Sequence, residues 1–137
     1  MEKSRSDIES VRILISLLVQ KGIKEVVLSP GSRNAPLLVS VAREKRLKHH
    51  VIVDERSAAF FALGIAQQTG QTVVLICTSG TALLNYSPAV AEAYYQGIPL
   101  LVISADRPTE WIDQDDSQTI RQQGALCNFV KKSFQLP

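Results

Sequence analysis

The sequence predicts an α/β fold, a doubly wound, mostly parallel sheet with helices on both faces. Three observations predict it. Short runs rich in Val and Ile recur with little polar alternation, which is how strands buried on both faces look. Segments of helical periodicity separate these runs, so strand and helix alternate. Polar clusters stand at the ends of four of the runs, where a parallel sheet gathers its loops at one edge.

The first element is a helix over Ile8 to Gln20, with Ile8, Val11, Ile15 and Leu18 on one stripe. Glu25 to Leu28 is the first strand, closed by Ser29-Pro30-Gly31-Ser32-Arg33. Gly31 suits a tight turn, Asn34 can cap the helix that follows from Pro36 to Glu44, and Pro36 suits its first turn. Arg43, Lys45, Arg46 and Lys48 read as a solvated helix end and loop, after which His49 and His50 open a second strand, Val51 to Val53. Adjacent strand residues point to opposite faces and no third ligand is near, so the two histidines do not read as a metal site. Asp54-Glu55-Arg56 leads into a helix from Arg56 to Gln68, and a third strand spans Thr72 to Cys77. Thr78-Ser79-Gly80-Thr81 then leads into a helix from Ala82 to Gln96, in which Pro88 removes one backbone bond and predicts a kink. A fourth strand, Leu100 to Ile103, ends in Ser104-Ala105-Asp106-Arg107-Pro108. Beyond the polar loop Asp113-Gln114-Asp115-Asp116, a weaker fifth strand is expected over Phe129 to Phe134.

Composition bounds the function. With 137 residues, 45% hydrophobic and 20% charged, the chain suits one compact domain over 1–137. Fifteen basic against 13 acidic residues leave a formal charge of +2, so no overall field points to nucleic acid or an anionic membrane. The polar opening Met1 to Asp7 is not followed by an apolar run long enough for a signal peptide or membrane span, which implies a cytoplasmic protein. Cys77 and Cys127 lack CxxC spacing and read as reduced thiols.

Two helices depart from the usual outer layer. Phe60 to Ala66 is apolar on every side, and the stretch from Ala82 to Tyr95 comes near to it. A helix apolar all round is buried all round, so each is expected to face the sheet on one side and another subunit or domain on the other.

All four polar clusters emerge at the edge where open α/β folds bind ligands. Arg33, at a turn near a helix start, is placed either to receive a carboxylate or phosphate bidentately or simply to finish a structural turn. Thr78 to Thr81 offers hydroxyls and free backbone donors, although Ser-Gly-Thr is also a common cap. Arg107, kept extended by Pro108, can reach into the site. Neither GxxxxGK[ST] nor GxGxxG occurs, and with histidines only at 49 and 50 no Ser/His/Asp arrangement forms. Glu55 is the one carboxylate at this edge set in apolar sequence, as either a helix-cap partner or a reagent. Burial there disfavours its charged form and leaves a carboxyl able to share a proton with a ligand nitrogen.

The ordered motifs Ser-Pro-Gly-Ser-Arg, Asp-Glu-Arg, Thr-Ser-Gly-Thr-Ala, Ala-Asp-Arg-Pro and Ile120-Arg121-Gln122 resemble a known family. It is the N-terminal, pyrimidine-binding domain of the 2-succinyl-5-enolpyruvyl-6-hydroxy-3-cyclohexene-1-carboxylate synthases, thiamine-diphosphate enzymes of menaquinone biosynthesis. The likeness runs from Val26 to Gln122. It implies that Glu55 hydrogen-bonds N1′ of the cofactor's aminopyrimidine, that Thr78, Ser79 and Gly80 lie against that ring, and that Ser32, Arg33, Arg107 and Gln118 contact substrate. The substrates so implied are 2-oxoglutarate, which is decarboxylated, and isochorismate, which receives the remaining unit. Ser117 departs from the Asn that such proteins carry before the glutamine. The family holds the diphosphate and Mg²⁺ or Mn²⁺ with a Gly-Asp-Gly motif in another domain, and none occurs here. The resemblance therefore implies a piece of a longer homo-oligomeric enzyme, inactive alone, meeting the diphosphate-binding domain of a partner subunit. Acetolactate synthases and oxo-acid decarboxylases share the glutamate and the fold, and a non-catalytic α/β binding module could use the same crevice.

Overall fold

The computed structural model describes residues 7–136; most of the polar opening segment and Pro137 lie outside the described residues. The elements run α1 (Glu9–Gln20), β1 (Glu25–Leu28), α2 (Ala35–Arg43), β2 (Lys48–Val51), α3 (Glu55–Thr69), β3 (Val73–Cys77), α4 (Thr81–Asn85), α5 (Ser87–Gln96) and β4 (Leu100–Ser104). Two 3₁₀ turns follow, Thr109–Trp111 and Cys127–Phe129. The sheet has the order β2-β1-β3-β4, and every pair is parallel.

Strand parity explains why helices cover both faces. Val26, Leu28, Val74 and Ile76 point to one side and pack with Ile15, Leu18, Leu37 and Val41 of α1 and α2. Their neighbours Val27, Val73, Leu75 and Cys77 point to the other, against Ala58, Ala59, Ala62 and Ala66 of α3 and against α4 and α5. Runs without polar alternation follow from this two-sided burial. The alanines of α3 bring that helix close over β3 and β1, while its outer residues Phe60 and Phe61 stay exposed. Leu84, Tyr94 and Tyr95 likewise leave apolar surface outside on α4 and α5.

Four expectations need correction. The second strand is Lys48–Val51 rather than Val51 to Val53. Its register sets Lys48 opposite Glu25 and His50 opposite Val27, and Glu25 bonds both Lys48 and His50, so cross-strand polar pairing rather than hydrophobicity fixes this edge strand. The kinked helix over Ala82 to Gln96 is two helices meeting at Tyr86, because Pro88 has no N–H for the preceding turn and starts α5 instead. No fifth strand forms over Phe129 to Phe134. Phe129 packs on Tyr94 and Tyr95, with ring centroids 6.5 and 6.3 Å away, so its apolar surface is covered by α5 and the charged Lys131-Lys132 continues outside the sheet. Finally, Asn34 precedes α2 but makes no side-chain cap; its amide instead donates to the carbonyl of Ser29 at 2.9 Å.

Candidate active site

Each parallel pairing continues one residue past its strand. The amide of Ser29 donates to Ile76 O at 2.9 Å, that of Ile52 to Leu28 O at 3.0 Å, and that of Ala105 to Cys77 O at 3.0 Å. All four polar clusters therefore begin at one edge. The chain leaves β1 through α2 on one face and β3 through α4 and α5 on the other, so the switch of direction lies between β1 and β3, where such sheets open a crevice.

Gly31 and Thr78 meet across that point. A Cβ on Gly31 would lie 2.5 Å from Thr78 Cβ, so glycine is required by close approach. Its φ is not positive, so the close approach to Thr78, rather than a left-handed backbone, accounts for the glycine beside this turn. Thr78, Ser79 and Asn34 are buried here, and Thr78 Oγ1, Ser79 Oγ and Asn34 Oδ1 have no partner among the described residues. The hydroxyls face inward, so this turn offers an incoming group packing surface more than hydroxyl contacts.

Of the two readings of Glu55, cap partner or reagent, the cap falls to its neighbour. Asp54 is the N-cap of α3: its Oδ1 accepts from the Ser57 amide at 2.7 Å, which holds its carboxyl below the ordinary range. Glu55 occupies the first helical turn, is half-buried, and has no hydrogen bond or ion pair among the described residues. Its apolar seclusion is thus partial within this chain. Two buried groups feel its charge. Burial pushes the Cys77 thiol up to about 12, against a hydrogen bond with Tyr86 and together with the charge of Glu55. Burial likewise raises the Tyr86 phenol, whose hydroxyl lies 3.5 Å from Ser29 Oγ.

A second assembly closes the β3 side. Gly80 has φ 86° and ψ −145°, a conformation open to glycine, and a Cβ there would lie 3.0 Å from Gln118 Cβ. Gln118, itself at φ 62°, donates from Nε2 to Ser79 O at 3.0 Å. Gln122 is buried; its Oε1 accepts from the Gly80 amide at 2.5 Å while Nε2 donates to Ala105 O at 3.0 Å and Ser104 Oγ at 3.3 Å. The Gly80 amide is therefore committed, which corrects the expectation of free backbone donors throughout Thr78 to Thr81. Arg107 donates from Nη2 to Ser117 O at 3.1 Å and lies 5.9 Å over the Trp111 ring, with Nε buried and unpartnered.

The structure joins Ser79 and Gly80 to Gln118, sets Thr78 against Gly31, and links Arg107 to the residue before Gln118. Ser32 and Arg33 lie exposed at the β1 end, without an ion pair among the described residues, and Glu55 touches none of the other candidates through a hydrogen bond. Two participants escaped the sequence reading. Gln122 was visible only as the end of Ile120-Arg121-Gln122, and Tyr86 only as one aromatic in an apolar helix. No group of three or more His, Cys, Asp or Glu suited to a metal occurs among the described residues, and none of their helices is long and apolar enough to cross a membrane.

Residues 8–126 match the family described as thiamine pyrophosphate enzyme, N-terminal TPP binding domain. The chain is 60% identical over 131 residues to the 2-succinyl-5-enolpyruvyl-6-hydroxy-3-cyclohexene-1-carboxylate synthase of Porphyromonas gingivalis, covering 96% of this chain and 23% of that protein. It is 60% identical over 120 residues to the synthase of the same name from Cytophaga hutchinsonii, covering 88% and 22%. The corresponding Desulfotalea psychrophila protein is 54% identical over 119 residues, covering 87% and 22%. The chain thus spans less than a quarter of the length of these curated relatives.

Proposed function

Because this chain belongs to the thiamine pyrophosphate enzyme family as its N-terminal TPP binding domain, we propose that it is the pyrimidine-binding part of a synthase acting in menaquinone biosynthesis. In this reading 2-oxoglutarate loses carbon dioxide and its remaining four-carbon unit is joined to isochorismate. The identity of the relatives as synthases of that kind supports this choice over other thiamine-diphosphate enzymes. The observation that carries it is the half-buried Glu55 carboxylate, left without a partner because Asp54 takes the cap.

An unpartnered carboxylate at the crevice edge suits an aminopyrimidine: it can hold a proton at N1′, as a carboxylate already engaged in a cap or ion pair could not. The cofactor, when bound, supplies the carbon nucleophile and the electron sink that decarboxylation needs. Thr78, Ser79 and Gly80 would pack against the ring, mainly through backbone and buried surface. Arg33 and Arg107 would receive substrate carboxylates, since a guanidinium offers paired donors to a carboxylate, with Ser32 and Gln118 supplying further hydrogen bonds.

The diphosphate and Mg²⁺ or Mn²⁺ are assigned to a domain beyond this chain, contributed by a partner subunit of a cytoplasmic homo-oligomer. Exposed Phe60, Phe61, Leu84, Tyr94 and Tyr95 on α3, α4 and α5 support a covering partner there. The test is direct: the full-length protein with thiamine diphosphate and Mg²⁺ should release carbon dioxide and form a joined product only when both substrates are present. Absence of that product with isochorismate, alongside turnover of 2-oxoglutarate with another acceptor, would overturn the assignment.

A further inference from the structure

Gln122 is buried and bridges three backbone segments: the turn after β3, the end of β4, and the segment that carries Gln118. The direction of its amide is forced. Gly80 N–H can only donate and Ala105 C=O can only accept, so a flipped amide would set donor against donor and oxygen against oxygen. Gly80 also has little room for a side chain, with Gln118 Cα 3.1 Å from where its Cβ would be. Gln118 adds a second tie to the same turn through Ser79 O.

We infer that Gln122 is a positioning residue: through Gly80 and Ala105 it locks the Thr78–Gly80 turn to the loop bearing Arg107, so the cofactor-side and substrate-side surfaces keep one arrangement. The side chain does this because it offers an acceptor and a donor at once. Alanine supplies neither, and ionised glutamate keeps the acceptor while facing Ala105 O and Ser104 Oγ without a donor. Protonated glutamate regains both. The ordering of a surface for the cofactor rests on the function proposed above, whereas the lock itself does not.

The experiment uses the full-length protein. Without ligand, Gln122→Ala should speed amide exchange across 78–81 by about tenfold or more, the scale of leaving a buried polar group unpaired, while β1 and α3 exchange unchanged. Gln122→Glu should resemble it near pH 8 and approach wild type near about pH 5.5, after correction for intrinsic exchange, as the buried carboxyl takes up its proton. The same acid-dependent recovery should appear in the affinity for thiamine diphosphate, measured by calorimetry. Unchanged exchange in both variants, or no recovery of Gln122→Glu on acidification, would overturn the lock, because a role in packing alone has no reason to titrate. Recovery of exchange without any change in cofactor affinity would overturn the positioning role. Failure of the wild-type protein to bind thiamine diphosphate would sink the functional assignment and leave the ligand-free exchange result to decide the lock.

Discussion

Gly31 and Thr78 are in such close contact that no side chain fits between the ends of β1 and β3: a Cβ on the glycine would meet three Thr78 side-chain atoms within 2.8 Å. Gly31→Ala should therefore destabilise the protein by about 1–3 kcal/mol, the usual range for overpacking a filled site. Adding Thr78→Gly, which removes all three of those atoms including the Cβ that would lie 2.5 Å away, should recover part of that loss. Denaturant unfolding of the two single variants and the double variant measures the coupling, and strictly additive effects would contradict the contact.

Glu55→Gln removes the carboxylate proposed to share a proton with the cofactor and little else, since Glu55 has no hydrogen bond or ion pair among the described residues. In the full-length enzyme it should lower turnover by about 10²–10⁴, the range for losing an acid–base group, with the unfolding midpoint almost unchanged. Near-normal turnover would return Glu55 to a structural role.

The two thiols should behave differently. Cys77 is buried with its thiol raised to about 12, so it stays protonated at neutral pH, whereas Cys127 is exposed. Brief alkylation of the native protein followed by mass spectrometry should modify Cys127 and spare Cys77. Equal labelling would show that the face around Tyr86 opens readily.

Acid should weaken the β1–β2 edge through Glu25. Burial acts to raise this carboxyl, but the hydrogen bonds and charges of His50 and Lys48 outweigh it and hold it below its ordinary value of 4.5. A lowered folded value means that the stabilisation is present above the carboxylate range and is lost as pH falls through and below it. Glu25→Gln should flatten that part of the stability profile, by up to about 1 kcal/mol for a pair this close to solvent. Chemical denaturation between neutral and acid pH would measure it.

The fold was legible because β1 and β3 are buried on both faces, and that burial writes itself as unbroken Val and Ile runs. Where burial is one-sided the reading slipped: β2 is placed by Glu25, Lys48 and His50 across the pair, a relation no local window contains. Phe129 misled for the opposite reason, since an apolar residue covered by a helix looks locally like one covered by a sheet. Within the site, Glu55 stood out by its chemistry and apolar setting. Gln122 did not, because its importance lies in contacts 42 and 17 residues away in sequence, and its type resembles the glutamines beside it.

The short second strand has a consequence beyond register. β2 is an outer strand, and no described residue pairs with its far side. A bare strand edge is a template on which other chains can polymerise, yet this one is four residues long, begins with Lys48 and carries His49 exposed. Such an edge is too brief and too well hydrated to recruit a foreign strand. The polar residues that blurred the strand in the sequence thus guard a crowded solution against fibre growth from this flank.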